Sequence, residues 1–286
     1  MIVVQEPAVQ GRAPARVERE LSPGIRLRAD ARLRRWVAGD YGGFDEASLP
    51  HGEVVFPATL VTQLAVKVSD SPFPPVLVNG LSGTYTRIEG PWTPAIAVFL
   101  APLGAYKLFG PAAAEIDGPL VGLEHIVGAD TRRLSDQVRS ARTWEQRGRL
   151  IDDFLLDRAT HGPQPSPEVT HAWHLLMRSS GRTTISGIAR QVGWSHKHLI
   201  TKFKQQVGVT PHLASRLLRL STVWQYLDDD QSWARIAAES GYADQPHLIR
   251  EFRRFTGTTP SALTTSRNRP RRRARSTAAP PLISPP

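Results

Sequence analysis

The stretch Ile236-Ala237-Ala238-Glu239-Ser240-Gly241-Tyr242-Ala243, continued by Leu248, Phe252, Gly257, Thr258, Thr259 and Pro260, decides the fold because an earlier stretch repeats it. That first copy reads Ile188, Ala189, Val192, Gly193, Trp194, Ser195, Leu199, Phe203, Gly208, Val209, Thr210 and Pro211. The offset is 48 residues as far as Gly193 and Gly241, and 49 from Leu199 and Leu248 onward. One residue inserted just after the glycine, with spacing kept on both sides, marks two copies of one supersecondary unit.

The unit is physically legible. Ile188 and Ala189 belong to a short helix that Gly193 ends where a left-handed residue is needed, and Trp194 supplies an apolar plug. Ser195 then caps a second helix whose Leu199 and Phe203, at i and i+4, face inward. Small alanines let two short helices cross steeply, which is helix-turn-helix grammar. The opposite stripe of the second helix carries Lys197, Ile200 or Thr201, and Lys204. In the second copy Leu248, Phe252 and Phe255 point inward, and His247, Arg250, Glu251 and Arg254 are expected on the outer stripe. A helix of this diameter fits the major groove, where arginine grips guanine and lysine, threonine or glutamine reaches base edges or phosphates.

Working outward, Gly162, Pro163, Pro165 and Pro167 form a break that helices do not cross comfortably. The sequence therefore predicts an arm at 1–24, a β-rich domain at 25–162, a helical domain at 165–264 and a basic tail at 265–286. The fold class is α+β: β-rich with helices first, then all-α, with two helix-turn-helix units joined by a linker helix. In the first domain Leu64, Val66 and Val68 alternate, as do Ile96, Val98 and Leu100, and Val76 to Val78 is a short apolar run. Leu120, Leu123, Ile126 and Val127 fall at helical spacing, as do Leu150, Ile151, Phe154 and Leu155. Ser166 or Pro167 starts the next helix, with Val169, Trp173 and Leu176 as its stripe and Gly181 as its stop.

The net charge of +10 is unevenly placed. Residues 1–164 hold 18 basic and 19 acidic groups, residues 165–263 hold 12 and 7, and residues 264–286 hold 6 and 0. A basic half beside a neutral one suits a chain of which one part meets a polyanion. The six tail arginines, Arg267, Arg269, Arg271, Arg272, Arg273 and Arg275, either trail along phosphates or are inert. There is no cysteine, which removes disulfide scaffolds, thiolate metal sites and cysteine nucleophiles and allows a reducing compartment. No run has the apolar length of a membrane span, and the first eleven residues lack the order of a signal peptide, so a cytoplasmic protein is expected.

Other constellations read as structural. His171 and His174 sit at i, i+3 beside Glu168, a spacing that could chelate a metal but is more often a solvent-facing or packing feature, and His196 and His198 diverge on a helix. Gly80, Gly83 and the pair Gly42-Gly43 read as turns without the lysine of a phosphate loop. Asp228, Asp229 and Asp230 read as an acidic loop lacking the rest of a calcium ladder. No nucleophile elbow or metal signature is present, so no enzyme activity, no metal and no cofactor is expected.

The double unit resembles the AraC/XylS family of bacterial transcription regulators over roughly residues 165–263. The residues Ile236 to Tyr242 with Gln245, His247, Leu248, Arg250, Phe252 and Gly257-Thr258-Thr259-Pro260 are its most recognisable part, and a joining helix starts at Pro211 with Leu213, Leu217, Leu220 and Tyr226. Arg216 and Arg219 are expected on the surface of that helix. The resemblance implies that the second helix of each unit, about 195–207 and 244–256, enters one of two successive major grooves, with the joining helix setting their spacing. It places DNA contacts at His196, Lys197, Ile200, Thr201, Gln245, His247, Arg250 and Arg254; Lys204 joins the set from the spacing, and Ser195 as the residue that caps the first of these helices. Ile200 departs from the usual polar reader and suits a thymine methyl instead, and Pro246 removes a donor where the first turn tolerates it. The segment Ile96 to Gly110 resembles one subgroup of the N-terminal domains of such regulators and names no ligand. The implied partners are double-stranded DNA, with RNA polymerase, a small-molecule effector and a second copy of the chain as further candidates, and no membrane. Two other readings stay open: an enzymatic first domain, and a non-specific architectural binder driven by the tail.

Overall fold

A computed structural model describes residues 3–5, 23–50, 52–116, 120–226 and 231–263. The expected acidic loop at Asp228 to Asp230, the basic tail and most of the expected N-terminal arm lie outside the described residues. Within that arm, Val3–Gln5 forms strand β1, which pairs antiparallel with Arg87 to Glu89.

The first half is built from antiparallel strands. These are β2 Ile25–Leu27, β3 Tyr41–Phe44, β4 Glu53–Phe56, β5 Thr62–Lys67, β6 Val76–Asn79, β7 Thr86–Glu89, β8 Ala95–Leu100 and β9 Val121–Gly122. One sheet has the order β2-β3-β8-β5-β6-β9, and the other the order β1-β7-β4. The alternation seen in sequence is the core face: Leu64, Val66, Ile96, Val98 and Leu100 are all buried. The register pairs Leu64 with Val98 and Val66 with Ile96, so both stripes meet on one face.

Two expectations fail here. Gly42 and Gly43 lie inside β3 instead of in a turn, because large groups press on the strand. A methyl on Gly43 would stand 3.0 Å from the Trp144 ring, and one on Gly42 3.1 Å from Pro23. Leu120 does not begin a helix. It takes a positive φ of 59°, strand β9 follows, and only Glu124–Val127 (α2) is helical.

Helices α1 Gly104–Phe109, α3 Ala129–Ser140 and α4 Trp144–His161 complete the first half. The start of α4 is fixed by a capping box between Thr143 and Gln146, and Ile151 and Leu155 are its buried face. Asp152 on the same helix accepts from the Tyr41 hydroxyl at 2.6 Å and from the Asp30 N–H at 3.0 Å, which ties α4 to the sheet. Burial beside this carboxylate raises the Tyr41 phenol far above its ordinary pKa.

The second half is helical: α5 Pro167–Arg178, α6 Ile185–Gln191, α7 His196–Val207, α8 Pro211–Gln225, α9 Trp233–Glu239 and α10 Gln245–Thr256. Between α4 and α5 the chain is held at two points. The buried Lys107 donates from Nζ to the Gly162 carbonyl at 2.7 Å, and the Ser166 N–H donates to Gln206 Oε1 at 2.8 Å. The buried side chains of both halves form one continuous hydrophobic cluster. Among the described residues no helix is long and apolar enough to cross a membrane.

Candidate nucleic-acid interface

The two repeats fold alike. Thr184 caps α6 and Ser232 caps α9, each side chain accepting from the backbone three residues on. Gly193 and Gly241 end these helices with φ of 73° and 75°, the left-handed geometry that the turn requires. The second helix of each copy is capped in turn: Ser195 Oγ accepts from the His198 N–H at 3.2 Å, and Asp244 Oδ1 from the His247 N–H at 2.6 Å. Both then end on left-handed glycines, Gly208 and Gly257.

Leu199, Phe203, Leu248, Phe252 and Phe255 are fully buried. The Phe203 ring lies 6.3 Å from Trp173 of α5, and the Phe252 ring 5.4 Å from Trp224 of α8, so each unit is anchored by an aromatic pair. With that stripe buried, the opposite one faces water. Ser195, His196, Lys197, Thr201 and Lys204 are exposed on the first copy, with Ile200 half-buried. On the second copy Arg250 and Arg254 are exposed, while Gln245 and His247 are half-buried. The His247 ring packs edge-on against Tyr242 at 5.3 Å, leaving it part of the turn as well as of the surface.

The structure adds Gln205 and Arg253, both exposed. Each continues a stripe already identified, four residues after Thr201 and three after Arg250, so helical spacing carried the signal.

Glu251 is a correction. It is buried, 7 % exposed, and its Oε1 accepts from Arg216 Nε on α8. The Arg216 guanidinium also lies over the Phe255 ring at 5.0 Å. Arg219 is likewise turned inward, donating to the Gly181 carbonyl at 3.2 Å and lying over the Tyr242 ring at 5.8 Å. The expected surface arginines of the joining helix are therefore half-buried, with their guanidinium groups engaged within the protein. Burial, with the Glu251 carboxylate nearby, pushes the Tyr242 phenol above its ordinary range.

This pairing has an electrostatic result. Helix α7 contains no acidic residue, and the single one in α10 is buried and neutralised. The exposed faces of both helices hold only cations and uncharged hydrogen-bonding groups, the composition that favours phosphates and purine edges. Arg254 is less available than the others, because its Nε donates to the Gly83 carbonyl at 3.4 Å.

The repeat region is similar in sequence to known proteins. A family described as "Helix-turn-helix domain" matches residues 188–266. An uncharacterized HTH-type transcriptional regulator of Bacillus subtilis, YbfI, is 29% identical over 87 residues, which are 30% of this chain and 32% of that protein. The chain thus spans about a third of the length of that curated relative. Among solved structures, an AraC-type transcriptional regulator from Chromobacterium violaceum aligns at 28% identity and a TM-score of 0.33, covering 36% of this chain and 95% of that one. ToxT from Vibrio cholerae aligns at 13% identity and a TM-score of 0.39, covering 79% of this chain and 94% of that one. Residues 188–266 of the chain thus match a helix-turn-helix domain.

Proposed function

We propose that the chain is a sequence-specific DNA-binding transcription regulator. The observation that carries this reading is the doubling: two equivalent helices, α7 and α10, each present an exposed face free of unpaired acid, on scaffolds with matching caps and matching glycine ends. In this reading Ser195, His196, Lys197, Ile200, Thr201 and Lys204 meet one major groove, and Gln245, His247, Arg250 and Arg254 meet the next. Residues 165–264 form the reading domain. Residues 25–162 govern it, by binding a small effector or by pairing with a second copy, and RNA polymerase is the partner through which binding alters transcription.

Selecting bound DNA from a random pool tests the reading. The full chain should enrich two half-motifs about one helical turn, roughly 34 Å, apart. Enrichment of a single motif, or of none above the input pool, rejects it.

A further inference from the structure

The loop between β6 and β7, Gly80 to Tyr85, reaches out of the first half and touches both repeats at corresponding places. Its Leu81 packs on Gly208, the left-handed residue that ends α7: a methyl there would stand 3.5 Å from Leu81. Its Gly83 faces Leu213 in the first turn of α8 at 3.3 Å by the same measure. Its Thr84 hydroxyl and Tyr85 N–H both donate to the Arg254 carbonyl, at 3.1 and 3.4 Å, and the Tyr85 ring lies against Gly257, which ends α10. The neighbouring Ala58 N–H donates to the Phe255 carbonyl at 2.8 Å. Gly208 and Gly257 are equivalent positions of the repeat. One loop therefore holds the C-terminal ends of both exposed helices.

We propose that this loop is a positioning element for DNA reading: through Leu81, Thr84 and Tyr85 it fixes the separation of the two helices and hence the half-motif spacing the protein accepts. The inference rests on the DNA-binding reading above. From Leu81 to Tyr85 the backbone spans at most roughly 14 Å, so the two helix ends are pinned close together. A twelve-residue helix is about 18 Å long. Tilting it by about 20° about its middle displaces each end by about 3 Å, close to the ~3.4 Å rise of one base pair. The Arg216–Glu251 pair holds the middle of α10 to α8, and the loop removes the tilt that remains.

The test compares the full chain with its Thr84→Val/Tyr85→Ala variant in two measurements. In random-pool selection the variant should keep both half-motifs but accept separations about one base pair either side of the parental value. In the absence of DNA, spin labels on Q191C and A243C, unambiguous because the chain has no cysteine of its own, should give a broader distance distribution in the variant. An unchanged spacing preference, or an unchanged distribution width, overturns the proposal. Failure of the parental chain to select any half-motif defeats the DNA reading alone, and the label distances then decide whether the loop clamps the helices. If the double variant melts before the measurement temperature, Thr84→Val, which deletes one hydroxyl hydrogen bond, replaces it in both.

Discussion

Arg216 on α8 donates to Glu251 on α10, and this pair ties the helix that joins the two units to one of the two helices proposed to read DNA. Removing one member leaves the other partly desolvated and alone. Glu251→Ala should therefore lower stability by about 2 kcal/mol in urea unfolding, with Glu251→Gln losing less because it still accepts a hydrogen bond. A variant as stable as the parent would mean that the pair contributes nothing.

Arg250 stands at the centre of the exposed face of α10. Arg250→Ala should weaken binding to the selected site by about 1–3 kcal/mol and relax base choice at one position, while binding to random DNA falls much less. Titrations on both duplexes check this, and an unchanged ratio between them removes Arg250 from the base-reading set.

Lys67 is 5 % exposed, and burial lowers its pKa to about 8 from an ordinary 10.5. Its ammonium lies over the Phe73 ring at 5.6 Å, which offsets part of that cost. Because the folded value is the lower one, the unfolded chain binds the extra proton between pH 8 and 10.5, and stability should rise with pH across that window. Lys67→Met removes the penalty. It should raise Tm at pH 7 by an amount equivalent to roughly 1–3 kcal/mol, with the gain shrinking toward pH 10.5. A gain independent of pH would assign it to packing alone.

Two glycines separate crowding from backbone strain. A methyl on Gly162 would stand 1.8 Å from the Lys107 carbonyl oxygen, although the backbone there is ordinary, with φ of −74°. On Gly193 it would meet nothing within 4 Å, but φ is 73°. Gly162→Ala should therefore cost about 3 kcal/mol or more and Gly193→Ala about 1 kcal/mol, measured by thermal unfolding. The reverse order would contradict the packing around Lys107.

The repeat was readable because its rules act over a few residues. Gly193 must turn, Ser195 must cap, and Leu199 with Phe203 must face the core. Glu251 shows how such reading fails. Leu248, Glu251, Phe252 and Phe255 fall at i, i+3, i+4 and i+7, so periodicity places Glu251 in the buried stripe, and only its charge argued for the surface. What reversed that argument was Arg216, thirty-five residues away, and partners at that distance leave no mark in local spacing. The same holds for Gly42 and Gly43, whose surroundings come from Trp144 and Pro23. The loop 80–85 looked like punctuation because its partners lie in the other half of the chain.

The tethers at Gly162 and Ser166 bear on how the two halves can move. Between them lie only Pro163, Gln164 and Pro165, and each proline ring locks its own φ. The φ of Gln164 and three ψ angles are the soft torsions left in the joint. With Lys107 and Gln206 gripping its two ends, the joint is a short stiff coupling and not a loose tether.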